Sequence, residues 1–263
     1  MVVDDSVVDE LERLVELAPL HMEPALAALR EARAQLPELP HVAIFDTAFH
    51  ATIPEEASTY ALPARLRDEI GVRRYGFHGL SVQWAAEQVP VARLVVCHLG
   101  GGCSVTAVRD GNSVDTTMGF TPLEGVPMAT RPGSVDPGAL LYLLRHHVSL
   151  DELDHTLERD SGLLGLSGLS GDVGELLASG DPNAALALRV FAYRVATAIG
   201  AMAVALGGLD ALVFTAGVGE HAEAVREAIC ERLGFLGPFD VVVVEAREDV
   251  VAARAARALV SSQ

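Results

Sequence analysis

The chain has 263 residues, half of them apolar, which is enough to bury a sizeable core and excludes an intrinsically disordered chain. Its formal net charge of −17 argues against a nucleic acid as partner, because a phosphate backbone is bound by a basic surface. All 19 basic side chains are arginines, so an anionic ligand would have to meet a local concentration of these few cations.

The three cysteines, Cys97, Cys103 and Cys230, are an odd number without CxxC spacing, so neither a disulfide framework nor a zinc site is expected. This cysteine usage is typical of the reducing cytoplasm, where we expect the protein to be located. The N-terminus is acidic and lacks the basic region and apolar core of a signal peptide. The longest uncharged apolar run, residues 195–209, is too short and too rich in glycine and alanine to span a bilayer, so it predicts a buried helix and no membrane partner.

The first 46 residues predict two helices followed by a strand. Apolar side chains recur at helical spacing in residues 4–17, and a second helix is expected over residues 24–35. Residues 41–45 form a short apolar run that predicts a strand ending at Asp46. A carboxylate at the carboxyl end of a strand lies where α/β folds place their sites, although an isolated Asp there is more often a turn residue or a helix cap.

The centre of the chain carries three consecutive glycines, after a helix predicted over residues 81–88. An apolar strand-like run at residues 94–97 breaks into the glycines at 100–102, resumes at 104–108 and meets a turn signal at 109–112. We interpret this pattern as a hairpin whose first strand carries a glycine kink. Glycines let a backbone approach an anion closely, so the run is a candidate phosphate cradle, with a bulge or a tight turn as the alternative.

The rest of the chain alternates helices and strands. Predicted helices cover residues 138–147, 151–159, 183–206 and 222–233, a compact loop covers residues 161–176, and strands cover residues 209–215 and 241–245. A glycine turn at residues 216–221 joins a strand to a helix, a geometry that places helix N–H groups beside a ligand. The alternation predicts an α/β fold.

Three long blocks resemble the acetate kinase family of acyl-phosphate kinases. The family's CHLG-x-G-x-S block is present at residues 97–104, its SVDT-x-MGFTPLEG block at residues 113–125, and its TR-x-G-x-x-DP block at residues 130–137. The resemblance implies an actin/hexokinase/Hsp70-type (ribonuclease H-like) ATPase fold whose first domain is incomplete. It divides the chain into residues 1–90, the remainder of the acetate-side domain, and residues 91–263, the nucleotide-binding domain.

The resemblance also implies reversible phosphoryl transfer between ATP and acetate, with three catalytic residues. Asp46 lies in the block FDTAFHATIPEEASTYALP, His78 in RRYGFHG, and Arg131 in the TR-x-G block. In this reading Arg131 clamps the oxygens of the transferred phosphoryl group, His78 donates a further hydrogen bond to it, and Asp46 orients a metal-bound water or Arg131. No strong base is needed, because a carboxylic acid such as acetate is ionised at neutral pH.

The family's nucleotide motifs supply the remaining site residues. Those expected to bind the nucleotide are His98, Leu99, Gly100, Gly101, Gly102, Asp172, Val173, Gly174, Gly217, Val218, Gly219, Glu220 and His221. Three of these positions depart from the family, because Gly174 replaces an Arg while Gly101 and His221 each replace an Asn. Glu248 aligns with a Glu associated with Mg²⁺, although an exposed Glu at a helix start is an equal alternative. The resemblance thus implies ATP/ADP and acetate or another short carboxylate as substrates, Mg²⁺ or Mn²⁺ as cofactor, and a homodimer.

Two further family blocks, N-C-G-S-S-S-x-K and G-H-R-V-V-H-G-G with its catalytic Arg, have no counterpart in this sequence. Two hypotheses follow. In the first, the chain is an acetate kinase whose missing segment is encoded upstream or supplied by a partner chain. In the second, it is a non-catalytic nucleotide-binding or dimer-forming remnant. In both cases we expect apolar surface exposed where the missing strands would pair, and therefore poor solubility or obligate dimerisation.

Overall fold

The computed structural model describes residues 1–15 and 19–261, and it confirms an α/β fold in which helices alternate with the strands of a sheet. The first helices are α1 (Asp5–Glu12), α2 (Pro19–Gln35), α3 (Glu55–Ser58), α4 (Ala64–Asp68) and α5 (Gly79–Gln88), with a 3₁₀ turn at Ala48–Thr52. The strands are β1 (Arg93–Leu99), β2 (Cys103–Arg109), β3 (Asn112–Thr116), β4 (Ala211–Thr215) and β5 (Asp240–Val243). The later helices are α6 (Pro137–His146), α7 (Leu150–Arg159), α8 (Gly162–Ser167), α9 (Val173–Ala178), α10 (Pro182–Leu206), α11 (Ala216–His221), α12 (Glu223–Cys230) and α13 (Glu248–Ser261), with a 3₁₀ turn at Gly234–Leu236.

The sheet has the strand order β3-β2-β1-β4-β5. Strands β1, β2 and β3 pair antiparallel in sequence, whereas β4 is parallel to β1 and β5 is parallel to β4. Because β1 and β4 run the same way, with His98 opposite Thr215 in the register, their carboxyl ends meet at one edge of the sheet. The glycines that follow β1 and the helix α11 that follows β4 are therefore neighbours at that edge.

Both faces of the sheet are covered by helices, which is why residues 94–97 of β1 and residues 211–214 of β4 are apolar without alternating with polar residues. Val95, Cys97 and Leu99 of β1 face the larger core, which α10 and α12 complete. Leu94 and Val96 alternate with them and face the smaller core beneath α5. This period of two is the geometry of a strand buried on both sides.

Helix α10 is the long buried helix that the sequence predicts. It begins with Pro182, the Asp181 carboxylate caps it by accepting a hydrogen bond from the Asn183 backbone N–H, and Gly207 ends it at a φ of +72°. Its length and apolar composition would allow it to cross a membrane. In the structure, however, one side of the helix is buried in the larger core, with Phe191 fully enclosed.

The predicted strand at residues 41–45 is wrong. Within residues 1–15 and 19–90, the β pairing is a single bridge between Val2 and Val42. An extended segment becomes a strand only when a neighbour satisfies its backbone N–H and C=O groups along its length, and the Met1–Val3 segment pairs with only three residues of this run. The first helix ends at Glu12, whereas its predicted helical pattern continues to residue 17. Residues 16–18, which include the end of that pattern, lie outside the described residues.

The glycine kink is also wrong, because the glycines at 100–102 reverse the chain. Strand β1 pairs antiparallel with β2, and Leu99 lies opposite Cys103, so the run predicted as one kinked strand is two strands. The predicted turn at residues 109–112 does form, between β2 and β3. Two predicted loops contain helices instead: residues 161–176 include α8 and the start of α9, and the glycine turn at 216–221 is α11. Short helical turns of this kind give no periodic apolar pattern that a sequence analysis could detect.

Candidate active site

The glycine turn between β1 and β2 lies against two of the predicted catalytic side chains. The turn is closed by a hydrogen bond from Gly100 N to Gly102 O of 3.0 Å. A methyl group added to Gly102 would lie 2.9 Å from Nη2 of Arg131 and 3.1 Å from Nε2 of His78. The structure thus brings Arg131 and His78 together on the predicted phosphate cradle, with only a hydrogen atom at Gly102 between them.

Arg131 is held in a buried position with its guanidinium facing this turn. Only 4% of the residue is exposed, and its Nη1 donates a hydrogen bond of 3.1 Å to the carbonyl oxygen of Pro122. Burial lowers the pKa of Arg131, while the neighbouring Glu158 carboxylate opposes that shift. Since the ordinary arginine pKa lies far above neutrality, the group remains a cation, and its planar donor fork suits the oxygens of a phosphoryl group.

Asp46 reaches the site through the backbone of His78. Its Oδ2 accepts a hydrogen bond of 2.5 Å from His78 N, and its Oδ1 accepts one of 3.1 Å from Leu80 N. These bonds hold His78 in the left-handed region, at a φ of +61°, where a residue other than glycine is strained. Asp46 therefore positions the imidazole of His78, which also shares a hydrogen bond of 3.0 Å between Nδ1 and Ser104 Oγ.

His98 stacks on His78 and links the two parts of the site. The two rings lie 4.0 Å apart between centroids at an angle of 22°, and His98 Nδ1 shares a hydrogen bond of 2.8 Å with Ser81 Oγ. Burial lowers the pKa of His98 to about 4, although the nearby charge of Asp46 acts in the opposite direction. His98 is thus a neutral ring at pH 7, and the stacked pair avoids two adjacent imidazolium charges.

Sequence analysis assigned no role to Ser81 or Ser104. Ser81 follows His78 by three residues at the start of α5, and Ser104 lies directly opposite His98 in the β1–β2 register. Neither contact was visible in the sequence. Ser81 meets His98, which is 17 residues further along the chain, through the packing of α5 beside β1. Ser104 reaches His78 only because the glycines reverse the chain.

Glu248 lies close to the His98 and Asp46 side chains. It is the first residue of α13, and its Oε1 is 3.9 Å from His98 Nδ1. Burial, followed by the charge of Asp46, raises the pKa of Glu248. Within residues 1–15 and 19–261 no group of three or more His, Cys, Asp or Glu side chains is arranged to hold a metal ion. Two carboxylates nonetheless fit Mg²⁺, which is usually bound by one or two protein carboxylates together with substrate phosphates and water.

A cavity of about 540 Å³ opens beside the glycine turn and unites most of the predicted nucleotide residues. Its lining residues are Gly100, Gly101, Asp172, Val173, Gly174, Leu177, Gly217, Val218, His221 and Ala222. Leu177 and Ala222 were not predicted, and only their proximity in the fold identifies them. The cavity lies next to the carboxyl ends of β1 and β4, where open α/β sheets bind their ligands.

The other predicted nucleotide residues support this wall instead of lining it. Leu99 is fully buried in the larger core, and Gly219 packs against the backbone of Phe214. Glu220 accepts a hydrogen bond of 2.9 Å from the backbone N–H of Ala246, which ties α11 to the segment leading into α13. Asp172, which does line the cavity, is also the N-cap of α9 and accepts a hydrogen bond of 2.9 Å from Glu175 N. The Asp172 carboxylate thus has a structural partner at the cavity rim.

Over residues 1–263 the chain matches the family described as the Acetokinase family. Among curated relatives, the acetate kinase of Nostoc punctiforme is 47% identical over 249 residues, which cover 90% of this chain and 61% of that protein. The chain therefore spans about three fifths of the length of this relative.

Two solved structures superpose closely on this one. A propionate kinase from Francisella tularensis has a TM-score of 0.91 at 36% identity, covering 95% of this chain and 73% of that chain. The acetate kinase of Porphyromonas gingivalis has a TM-score of 0.89 at 33% identity, covering 99% of this chain and 74% of that chain. The fold is therefore the actin/hexokinase/Hsp70-type ATPase fold of these kinases, as the sequence resemblance implied.

Proposed function

The chain belongs to the acetokinase family, and from that premise we propose that it is a phosphotransferase that converts ATP and acetate reversibly to ADP and acetyl phosphate. One observation carries the proposal: Arg131 and His78 flank Gly102, in the same glycine turn whose Gly100 and Gly101 line the cavity. A buried guanidinium, an imidazole and a turn without side chains form a pocket for the phosphoryl group between ATP and its acceptor.

In the proposed reaction, a carboxylate oxygen of acetate forms a bond to the γ-phosphorus as the bond from phosphorus to the bridging oxygen breaks. ADP leaves with that electron pair, and no proton need be removed, because acetate is already ionised. The work of the protein is to neutralise charge and hold the three groups in line. Arg131 stabilises the equatorial oxygens, His78 donates to the same group, and Asp46 keeps His78 in place.

Mg²⁺, or Mn²⁺ in its place, is the cofactor that we propose. Asp46 and Glu248 are the carboxylates that would hold it, because Glu248 lies 3.9 Å from His98 and the charge of Asp46 acts on both of these groups. When bound, such an ion neutralises charge on the phosphate oxygens of the nucleotide.

A second candidate function is nucleotide binding without turnover. It is favoured by a specific contrast: the cavity and the sheet beneath it are built within residues 93–243, whereas the described residues before 90 contribute no strand of the sheet. The nucleotide would then bind in the cavity, while the acceptor side would lack the groups needed for transfer.

The acceptor we propose is a short carboxylate, with acetate first and propionate as the alternative, because relatives named for both substrates share the fold. We also propose a homodimer located in the cytoplasm. The three cysteines, all within the described part of the chain, are free thiols, which agrees with a reducing compartment.

The test is acyl-phosphate formation by the purified chain with MgATP and acetate, trapped by hydroxylamine, beside Arg131→Ala. Removal of a charge-stabilising donor of this kind typically lowers the rate about 10²–10³-fold. Arg194→Ala is the matched control, because it removes an exposed arginine on α10. Turnover that is lost only with Arg131 supports the kinase. Tight MgATP binding without turnover supports the second candidate, and absence of nucleotide binding contradicts both.

A further inference from the structure

Glu124 is the centre of a polar cluster that includes none of the proposed catalytic residues and does not line the cavity beside the glycine turn. Its Oε1 accepts a hydrogen bond of 2.9 Å from Nη2 of Arg74, and its Oε2 accepts one from the Tyr60 hydroxyl. The Arg74 guanidinium also lies 5.6 Å from the centre of the Tyr60 ring. We call Tyr60, Arg74 and Glu124 the Glu124 brace.

The Glu124 brace grips the loop of residues 117–125 at several points. Arg74 Nη1 donates hydrogen bonds of 3.0 Å to the carbonyl oxygens of Thr117 and Met118. The Tyr60 hydroxyl accepts a hydrogen bond of 3.0 Å from Phe120 N. A side chain on Gly119 would collide with both Tyr60 Oη and Glu124 Oε2, so the loop passes the brace in direct contact.

This loop also contacts the Arg131 guanidinium. The hydrogen bond from Arg131 Nη1 to Pro122 O joins the guanidinium to the loop two residues before Glu124. The backbone of Arg131 is held separately, because its carbonyl oxygen accepts a hydrogen bond from Met128 N, which belongs to its own loop. The main chain of Arg131 and its charged end therefore have different anchors.

We propose that Glu124 is a positioning residue for Arg131: the Glu124 brace fixes the carbonyl of Pro122, and that carbonyl aims the guanidinium at the glycine turn. The proposal rests on the proposed function, in which Arg131 contacts the terminal phosphoryl group. Burial and then the hydrogen bond to Glu124 raise the pKa of Tyr60 to about 12, so this hydroxyl remains a donor at every pH at which the protein is used. The side chains of Arg74 and Glu124 are 16% and 34% exposed, so the guanidinium side of their ion pair is largely shielded from solvent.

A positioning role makes a different prediction from a general role in stability. If Glu124 acts through Arg131, its loss should weaken ligands that carry the terminal phosphoryl group and spare those that lack it. We therefore expect Glu124→Gln to weaken MgATP binding about tenfold and MgADP binding less than twofold, measured by titration calorimetry. In the Arg131→Ala background, Glu124→Gln should add less than twofold to the loss for MgATP, because the group it positions is already gone.

The matched control is Asp210→Asn, which removes the ion pair between Asp210 and Arg93 at the opposite end of β1 and β4. It should change MgATP and MgADP binding equally or not at all. Tyr60→Phe is the milder variant of the brace, because it keeps the ring and removes only the hydroxyl, and it should show a smaller loss in the same direction. Equal loss of both nucleotides in Glu124→Gln, or an undiminished effect of it in the Arg131→Ala background, would overturn the proposal.

A second readout needs no nucleotide and separates this proposal from the proposed function. In protein labelled with ¹⁵N-arginine, the side-chain Nε–H resonance of Arg131 is identified by its loss in Arg131→Ala. It should shift in Glu124→Gln and Tyr60→Phe and remain in place in Asp210→Asn. If it stays unchanged in the brace variants, the proposal is wrong even where the enzyme is active. If it shifts while MgATP does not bind, the positioning stands and the proposed function fails.

Discussion

Residues 93–243 build a five-stranded sheet of their own, whereas the described residues before 90 contribute helices and loops with a single β bridge between Val2 and Val42. The cavity proposed for the nucleotide is lined entirely by the later part. Asp46 and His78 belong to the earlier part, and His78 is held against the sheet by Ser104 and by stacking on His98. The two steps of the proposed chemistry therefore depend on different parts of the structure. Nucleotide binding depends on the buried core of the sheet, whereas phosphoryl transfer depends on contacts between separate segments of the chain.

The largest effect should come from truncating a side chain in each core. Leu212 of β4 is fully buried in the larger core, and Leu26 of α2 is 3% exposed in a small cluster with α1. Leu212→Ala should lower the free energy of unfolding by about 2–5 kcal/mol. MgADP binding by this variant should be lost at urea concentrations near the midpoint of its unfolding. Leu26→Ala should increase hydrogen exchange mainly in residues 1–45 and preserve MgADP binding. Loss of MgADP binding in Leu26→Ala would show that the later part needs the packing of residues 1–45 in order to bind the nucleotide.

The next effect tests the turn at which the two parts meet. Gly102→Ala places a methyl group 2.9 Å from Arg131 Nη2 and 3.1 Å from His78 Nε2, in the space proposed for the phosphoryl group. We expect acyl-phosphate formation to fall about 10²–10³-fold with little change in the melting temperature. Gly180→Ala is the control, because a methyl group there meets nothing within 4 Å, and it should stay within twofold of the parent. A Gly102→Ala protein with full activity would exclude this space as the phosphoryl site.

A smaller effect concerns pH and the stacked histidines. The pKa of His98 falls from its ordinary value of 6.5 to about 4 in the folded protein, chiefly through burial. Between these values the unfolded chain binds a proton that the folded chain excludes, so this contribution to stability is complete above pH 6.5 and is lost as the pH falls toward 4. At pH 5 the loss should be about 2 kcal/mol.

Urea unfolding at pH 7.5 and pH 5 checks this expectation against His98→Gln, which cannot take up the proton. The parent should lose about 2 kcal/mol more than the variant between the two pH values. Burial also lowers the pKa of His50, but this histidine is present in both proteins, so its effect cancels in the difference. Equal losses in parent and variant would mean that His98 is not shielded from solvent as the structure has it.

The smallest effect is a gain in stability at the wall of the cavity. Ala216 begins α11 with a φ of +65°, a left-handed conformation that costs a residue with a Cβ about 1 kcal/mol. Ala216→Gly should relieve that strain and raise the melting temperature by about 2–4 °C. Ala201→Gly, in the exposed interior of α10, should lower stability by about 1 kcal/mol, because glycine disfavours a helix. If both variants lower the melting temperature, the strain at Ala216 is not real.

Local patterns in the sequence predicted the helices and strands that are specified by their own residues and those directly beside them. The long helix α10 was predicted to within one residue, since Asp181, Pro182 and Gly207 mark its ends. The apolar runs of β1 and β4 were predicted from their own composition, because a strand buried on both faces of a sheet is rich in apolar residues. The run at residues 41–45 carried a similar signal and failed, because strand formation requires a partner that the run itself does not specify.

The sequence by itself determined the family and the α/β class, and it singled out Asp46, His78 and Arg131 as candidate catalytic residues, because these depend on which residues are present and in what order. Only the tertiary structure decided that the three glycines reverse the chain, that Arg131 and His78 meet across Gly102, and that Tyr60 and Arg74 both bind Glu124. These contacts join residues far apart in the chain, and their geometry follows from strand register and loop packing. No local pattern carries that information, since the same short motif can fold against many different neighbours.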